Sequence, residues 1–322
     1  MIDITLADFS HKKELAKLWV EVFGDDENFI SSFLDAYMIP EYNVPIITDG
    51  KKIISALYLI DFPLYSNMKN LGDCAYLFAA ATKKEYRNKG HMSKLISYSS
   101  ELCKNRGLKA IFLFPQNQKQ ELFDFYSKSG FESIYAAKKI KLRSDLQKDK
   151  DLAGFKLVNK NITDTEIFDG LYNSYAEYTA KQELAPMKDR FFYFKCASSY
   201  LDMPENSEIT AHFAVFENNV VKFCYVFYKK YKNTYYIDDI ILLEYSNIRE
   251  NVQQKYDDII NILSDFILNQ KNNVNLEMSV PQSSSYNGEN IPLAMILPLD
   301  NGITEIIRNL KTPVYINMFM NI

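Results

Sequence analysis

Residues 75–92 read Ala75-Tyr-Leu-Phe-Ala-Ala-Ala-Thr82 and then Lys83-Lys-Glu-Tyr-Arg87-Asn-Lys-Gly90-His-Met92. The first segment is uncharged and predicts a strand, whereas the second predicts a basic turn. An amphipathic pattern over 91–105 predicts a helix that begins at this turn. A strand that passes through a glycine-bearing turn into a helix presents backbone N–H groups to a phosphate, and Arg87 and Lys89 add positive charge. The stretch therefore predicts a phosphate site.

The composition indicates a folded protein with two domains. The 322 residues exceed the usual size of one domain. Hydrophobic residues make up 47% of the chain and aromatic residues 14%, as in globular proteins rather than disordered ones. The net charge of −4 and the isoelectric point near 5.6 give no sign of a nucleic-acid surface. We therefore expect no nucleic-acid partner.

Cysteine spacing and the N-terminal residues bear on the location of the protein. The four cysteines, Cys74, Cys103, Cys196 and Cys224, form no C-x-x-C pair, so the sequence predicts neither a disulfide framework nor a metal site. The first residues, Met1-Ile-Asp-Ile, lack the pattern of a signal peptide, and no run approaches the roughly 20 apolar residues of a membrane span. We expect a soluble, cytoplasmic protein without membrane contact.

The first half of the chain alternates strands and helices. The predicted strands are 2–6, 44–48, 53–60, 75–82, 110–114 and 131–140, and the predicted helices are 11–23, 26–38, 91–105 and 119–129. Asp49-Gly50 predicts a hairpin turn between the second and third strands. Gly130 predicts the end of the last helix.

The second half repeats this order after a charged connection at 141–156. It predicts strands at 155–158, 211–216, 220–228, 235–243 and 274–280, with helices at 164–180, 188–200 and 249–270. We predict an α/β (α+β) fold of two tandem domains, 1–143 and 152–322. Each domain is expected to have a mixed central β-sheet flanked by helices.

The second half lacks the glycine-bearing turn. The corresponding stretch, Glu244-Tyr-Ser-Asn-Ile-Arg-Glu-Asn251, contains no glycine and carries two carboxylates. Glycine permits close approach of the backbone to an anion, and carboxylates repel phosphate. We therefore expect a phosphorylated ligand in the N-terminal half only.

Two motifs and the order of elements resemble the GNAT superfamily of acyl-CoA-dependent N-acyltransferases, over about residues 1–140. The first motif is Arg87-x-x-Gly90-x-Met92 after a strand, where the family has an (Arg/Gln)-x-x-Gly-x-(Gly/Ala) turn that wraps a pyrophosphate. The second is Leu122-Phe-Asp-Phe-Tyr126-Ser-Lys-Ser-Gly130-Phe131, where the family has a helix ending in Tyr before Gly-Phe. With the second half, the chain resembles larger GNAT proteins that carry a degenerate second copy.

The resemblance implies acetyl-CoA as co-substrate, with no metal. The turn is expected to bind the pyrophosphate through backbone amides, and the strand before it to pair with the pantetheine arm. The residues so assigned are Arg87, Asn88, Lys89, Gly90, His91 and Met92 in the turn and Ala80, Ala81 and Thr82 in the strand. Tyr126 is implied as the general acid that protonates the leaving thiolate.

Two positions depart from the family pattern, and a third allows two interpretations. Met92 stands where the family has Gly or Ala, so we expect its side chain to point into the core. Lys119 stands where many relatives have an Asn that meets the cofactor. The His91 ring either donates to phosphate or faces solvent.

The acceptor amine must lose a proton, and several carboxylates are candidates for the base. They are Asp25, Asp26 and Glu27 between the first two helices, Asp61, the pair Asp238-Asp239, and the terminal carboxylate of Ile322, which by resemblance to some tandem relatives enters the active site. Helix capping and a solvated turn also explain the first three.

The expected function is transfer of the acetyl group of acetyl-CoA directly to an amine of a small molecule or peptide. One alternative is a non-catalytic acyl-CoA sensor or scaffold that retained the turn. Another is a tandem aminoacyl transferase that uses aminoacyl-tRNA, although such relatives usually lack this turn and the acidic isoelectric point does not favour tRNA.

Overall fold

The computed structural model describes residues 2–143, 155–160, 165–199, 209–216, 223–231, 234–243, 275–280, 282, 284–311 and 313–314. The described strands are β1 (Ile2–Leu6), β2 (Pro45–Asp49), β3 (Lys52–Ser66), β4 (Lys69–Thr82), β5 (Ala110–Leu113), β6 (Glu132–Arg143), β7 (Phe155–Lys160), β8 (Ala185–Pro186), β9 (Ile209–Phe216), β10 (Phe223–Tyr231), β11 (Thr234–Leu243), β12 (Asn275–Val280) and β13 (Glu289–Pro298). The described helices are α1 (Lys12–Phe23), α2 (Glu27–Tyr37), α3 (His91–Asn105), α4 (Gln120–Ser127), α5 (Thr165–Ala180), α6 (Arg190–Ser199) and α7 (Asn301–Asn309).

The chain divides into two compact units. The first comprises Met1–Leu64, Leu71–Ser133 and Ala294–Asn309, and its sheet has the order β1-β2-β3-β4-β5-β13. The β1–β2 and β2–β3 pairs are antiparallel, β4–β5 is parallel and β5–β13 is antiparallel. A parallel pair needs a crossover connection, which α3 supplies between β4 and β5.

The second unit comprises Tyr65–Asn70, Ile134–Leu293 and Leu310–Ile322. Its strands follow the order β6-β12-β11-β10-β9-β7. The β9–β7, β10–β9 and β11–β10 pairs are antiparallel, and β11–β12 is parallel. Reading from β7, this is the pairing pattern of β1 to β5 in the first unit, which supports the repeat seen in the sequence.

Helices of the first unit pack on opposite faces of its sheet. α3 and α4 contribute Leu95, Ile96 and Phe123 to one apolar core, together with Leu57 and Leu77 of the strands. On the other face, α1 and α2 bury Trp19 and Phe33 among aromatic side chains. The i, i+3, i+4 spacing of apolar residues in each helix produces these buried faces.

Helix ends in this unit follow ordinary capping chemistry. The Asp26 carboxylate accepts hydrogen bonds from the Asn28 and Phe29 amides and so caps α2. α1 ends at Gly24, which adopts the left-handed conformation. Asp26 therefore has a structural role that accounts for its place between the two helices.

The structure confirms the predicted mixed α/β fold and nearly all the predicted elements that it describes. The predicted strands 53–60 and 75–82 were too short, because β3 and β4 form a long hairpin that turns at Asn67 and Met68, both at positive φ. The predicted helix 249–270 and the stretch 244–251 lie outside the described residues. The domain ranges 1–143 and 152–322 remain a prediction; the first compact unit also includes residues 294–309.

Candidate functional site

Strands β4 and β5 part at the C-terminal end of the first unit's sheet. Their register pairs Ala75 with Ile111 and Tyr76 with Phe112. Beyond these pairs, β4 continues to Thr82, and Ala79 has a φ of +46°, which non-glycine residues rarely adopt. A single residue in this conformation is typical of a β-bulge, which bends a strand away from its partner.

The three predicted pantetheine-binding residues follow the bulge. Ala80 is half-buried and packs against the core beneath α3 and α4, and Ala81 is buried. The Ser55 hydroxyl on β3 donates to the Ala81 carbonyl at 2.9 Å and lies 2.8 Å from the Thr82 hydroxyl. Ser55 therefore ties this end of β4 to β3, on the side away from β5.

The basic turn is closed by its own side chains. Arg87 Nε donates to the Thr82 carbonyl at 3.0 Å, and Lys89 Nζ donates to the Glu85 carbonyl at 2.9 Å. Asn88 lies between them with a φ of +61°. All three residues are exposed, so the charges of Arg87 and Lys89 face solvent.

Gly90 leaves the start of α3 open. It is the N-cap residue, has a φ of +78° and offers no side chain to the first helical amides. A Cβ built at this position would meet no atom within 4 Å. Uncapped amides beside open space are the geometry in which a helix N-terminus binds an anion. The turn therefore fits a pyrophosphate group.

His91 and Met92 both point into the protein. The His91 side chain is only 5% exposed and its ring centre lies 6.2 Å from that of Tyr86, so the solvent-facing interpretation is wrong. Within the described part of the chain, His91 Nδ1 is buried without a hydrogen-bond partner. Met92 packs against the core beneath α3 and α4, which confirms the predicted direction of its side chain.

Tyr126 lies in the last turn of α4 and is 9% exposed. Its ring centre is 5.1 Å from that of Phe125 and 5.6 Å from that of Phe131. Burial raises the pKa of its hydroxyl to about 12, because the charged phenolate would lose its hydration. Tyr126, Ala80 and Met92 all belong to or pack against the same apolar core.

Asp25 and Asp61, two of the candidate bases, lie in different surroundings. Asp25 is exposed, and its Oδ2 accepts a hydrogen bond of 2.7 Å from Trp19 Nε1. Asp61 forms an ion pair with Arg106, and burial raises its pKa against the lowering effect of that guanidinium. Arg106 follows the last residue of α3, whereas the turn precedes the first; a 15-residue helix spans about 22 Å. Asp61 therefore lies far from the turn, and its role as the base stays a prediction.

The remaining candidates for the base stay predictions. Glu27 is an exposed residue in the first turn of α2. The side chains of Asp238 and Asp239, and the terminal Ile322, lie outside what the structure describes. Lys119 is exposed at the start of α4, where its side chain makes no capping hydrogen bond.

Sequence reasoning missed two contributions to this region. The first is the bulge at Ala79, because neither alanine nor its uncharged neighbours predict a positive φ. The second is the pairing of β13 with β5 through Met295–Pro298, about 180 residues apart in sequence. The continuous apolar run of 293–297, which follows Pro292 and precedes Pro298, is a signal that could have predicted this strand.

Residues 3–134 match the family model of the acetyltransferase (GNAT) domain. This part of the chain is a GNAT acetyltransferase domain. The match covers the turn, α3, Tyr126 and the strands that separate beside them, so the site described above lies in the GNAT domain. Acyl transfer from acyl-CoA is the chemistry of this family. No curated protein sequence matches the chain.

Solved structures share the fold over most of the chain. A conserved protein of Enterococcus faecalis V583, described as a probable N-acyltransferase, is 12% identical with a TM-score of 0.70, over 92% of this chain and 72% of that one. A GCN5-related N-acetyltransferase from Anabaena variabilis is 12% identical with a TM-score of 0.68, over 94% and 74%. A tandem GNAT protein of the clavulanic acid biosynthesis pathway is 12% identical with a TM-score of 0.50, over 93% and 99%. At these identities the likeness shows the fold alone.

The described residues provide neither a membrane-spanning helix nor a cluster of metal ligands. No helix in this part of the chain is long and apolar enough to cross a membrane. The same residues contain no group of three or more His, Cys, Asp or Glu side chains able to hold a metal ion.

Proposed function

We propose that the GNAT domain transfers the acetyl group of acetyl-CoA directly to an amine of a small molecule or peptide. The observation that carries this proposal is the uncapped start of α3 at Gly90, beside the point where β4 and β5 part. The first feature suits a pyrophosphate and the second suits an extended amide-bearing arm. Acetyl-CoA contains both groups and supplies the acetyl thioester.

The turn and the strand before it would hold the cofactor. The amides of residues 88–92 would donate to the pyrophosphate, with the exposed Arg87 and Lys89 side chains adding positive charge. The Ala81 carbonyl already accepts from Ser55 on the β3 side, so we expect the preceding Ala80 carbonyl to be available toward β5. Small side chains at 80–82 leave room for the arm.

Tyr126 would act as the general acid. The neutral amine nitrogen forms a bond to the acetyl carbon, the carbon–sulfur bond breaks, and the Tyr126 hydroxyl protonates the departing sulfur. The nitrogen loses one proton to solvent as the amide forms, and Tyr126 regains one from solvent. A pKa of about 12 keeps this hydroxyl protonated at neutral pH, so that it can donate. Tyr126 belongs to the same apolar core that Ala80 packs against, which supports a position near the pantetheine arm.

The second range, 152–322, would be a catalytically silent GNAT-like domain that shapes the acceptor pocket. Its support is the repeated strand pairing of the second unit and the shared fold of a tandem GNAT protein. Because its stretch 244–251, which corresponds to the basic turn, contains no glycine and carries two carboxylates, this range would not bind acyl-CoA. We place the protein in the cytoplasm, acting without nucleic acid or membrane.

Binding is tested first by thermal unfolding with acetyl-CoA. At 100 times the dissociation constant the ligand should add about 2.7 kcal/mol to the free energy of unfolding. Absence of a shift with acetyl-CoA and with longer acyl-CoAs would exclude both an enzyme and an acyl-CoA sensor. Release of CoA thiol over a panel of amines then separates the two, because a sensor would bind without releasing thiol.

The general acid is tested with Tyr126→Phe, which keeps the ring and removes the hydroxyl. Turnover should fall by about 10²- to 10⁴-fold while acetyl-CoA affinity is unchanged. Tyr98→Phe, in a half-buried tyrosine of α3, is the matched control and should keep full turnover. Equal turnover of the two variants would refute the role of Tyr126.

A further inference from the structure

Aromatic side chains surround Trp19 on the face of the sheet that α1 and α2 cover. Their ring centres lie 4.9–6.2 Å from that of Trp19, which is itself 2% exposed. The rings are Phe23, Phe29, Phe33, Tyr58 and Phe78. We call this group the Trp19 cluster. It belongs entirely to the first unit.

Three of the six rings in the Trp19 cluster are half-buried, and one of them, Phe78, lies where β4 and β5 part. Phe78 immediately precedes the bulge residue Ala79 and is half-buried. Phe114 follows the last residue of β5, is also half-buried, and packs edge-on against Tyr76 at 6.1 Å. Tyr76 also contacts Phe78 at 5.4 Å. Two partly exposed rings thus stand beside the proposed thioester site.

A carboxylate stands at the edge of the same cluster. Asp25 Oδ2 accepts a hydrogen bond from Trp19 Nε1. The ring centre of Trp19 lies 5.6 Å from that of Phe78. The end of α1 is also tied to the end of β4 by an ion pair of 3.2 Å between Glu21 and Lys83. These contacts hold Asp25 near the C-terminal end of β4, with its side chain exposed.

We infer that the acceptor is a cationic amine that carries an aromatic group, with its ring against Phe78 and its ammonium attracted by Asp25. The inference rests on the proposed acetyl transfer. Aromatic rings gain from edge-to-face and offset contacts with one another, beyond the area that they bury. An exposed carboxylate fixed by a buried indole provides the complementary charge without reordering a flexible side chain. Before attack, the ammonium loses its proton to solvent and the neutral nitrogen bonds to the acetyl carbon.

The acceptor preference is tested with 2-phenylethylamine, n-butylamine and phenylalanine as substrates in the thiol-release assay. The value of kcat/KM should be at least 10-fold higher for 2-phenylethylamine than for n-butylamine, which lacks the ring. Phenylalanine should also be at least 10-fold poorer, since its carboxylate is repelled by Asp25. Equal kcat/KM for 2-phenylethylamine and n-butylamine would overturn the inference.

The two recognition groups are tested by conservative variants. Asp25→Asn keeps an oxygen acceptor for Trp19 Nε1 and removes the charge, so KM for 2-phenylethylamine should rise about 10-fold with kcat little changed. Glu14→Gln is the matched control, because it removes one partly exposed charge from the first turn of α1. Phe78→Leu keeps an apolar side chain but removes the ring, so it should reduce the ratio of kcat/KM for 2-phenylethylamine to kcat/KM for n-butylamine.

Failure of the inference is distinguishable from failure of the proposed function. If acetyl-CoA does not stabilise the protein, the proposed transfer falls and the acceptor inference falls with it. If acetyl-CoA binds and non-aromatic amines are acetylated as well as 2-phenylethylamine, only the inference falls. A KM for Asp25→Asn equal to that of Glu14→Gln would exclude Asp25 from recognition of the amine.

Discussion

Replacing Gly90 by alanine should separate its part in folding from its part in binding. Gly90 has a φ of +78°, and a Cβ there meets nothing within 4 Å. The expected cost in the free energy of unfolding is therefore that of the left-handed backbone alone, about 1 kcal/mol once the lower entropy of the unfolded chain is deducted. Because the added Cβ contacts no other atom, we expect no further loss in the free energy of unfolding of the ligand-free protein.

Acetyl-CoA binding should suffer more than stability. The added methyl group would occupy the open space through which a phosphate approaches the amides at the start of α3. Loss of one charge-assisted hydrogen bond costs about 1.5–3 kcal/mol, which corresponds to about a 10- to 150-fold rise in Kd. Isothermal titration with acetyl-CoA measures this change. Unfolding in urea can be followed through Trp19, the single tryptophan of the chain, which lies in the same unit.

Gly107 provides a matched control at the opposite end of α3. It has a φ of +77°, and its Cβ would also meet nothing within 4 Å. Gly107→Ala should thus lower the free energy of unfolding by the same amount and leave the Kd for acetyl-CoA unchanged. The reasoning is refuted if Gly90→Ala binds acetyl-CoA as tightly as Gly107→Ala does.

Three further predictions concern the same unit. Asp26→Ala removes the cap of α2 and should lower the free energy of unfolding by about 1 kcal/mol in urea titrations, with no change in acetyl-CoA affinity. The pKa of the Tyr126 hydroxyl is about 12 in the folded protein and about 10 in the unfolded chain. Because the unfolded chain releases this proton first, the contribution of Tyr126 to the free energy of unfolding should be lost as pH rises from about 10 to 12. Tyr126→Phe should therefore flatten the alkaline limb of stability against pH, and an unchanged limb would contradict the burial effect. Ala79→Gly should change the free energy of unfolding in urea by less than about 1 kcal/mol, because glycine adopts a positive φ without strain. Ala75→Gly, in the regular part of β4, should lower the free energy of unfolding. Equal losses in the two variants would argue against strain at Ala79.

Local patterns predicted the elements of the first unit well. The apolar spacing of Leu15, Leu18 and Trp19 places α1 within one residue of its bounds, because one helical face is buried and the other is not. The basic turn was equally readable, since its glycine, its charges and the helix after it are neighbours in sequence. Features carried by a few adjacent residues are the ones that a sequence reveals directly.

Features that depend on packing between elements were not predicted. The His91 side chain looked like part of a solvated turn, yet it is buried beside Tyr86, because the helix that it begins turns this face toward the core. Strand β13 pairs with β5 across most of the length of the chain, and no local signal names its partner. The Trp19 cluster likewise brings together α1, α2, β3 and β4.

The spacing of side chains along β4 explains how one strand can serve both parts of the proposed site. Leu77 lies in the core beneath α3 and α4, and Phe78 lies in the Trp19 cluster on the other face. In a regular strand, side chains two residues apart share a face, so Ala80 would lie on the face of Phe78. Ala80 instead packs against the same core as Leu77, although the two residues are three positions apart. The positive φ of Ala79 supplies the extra residue. The bulge thus brings Ala80 to the face that α3 and α4 cover, directly after Phe78 on the opposite face. In the proposed site these faces would be the cofactor side and the acceptor side.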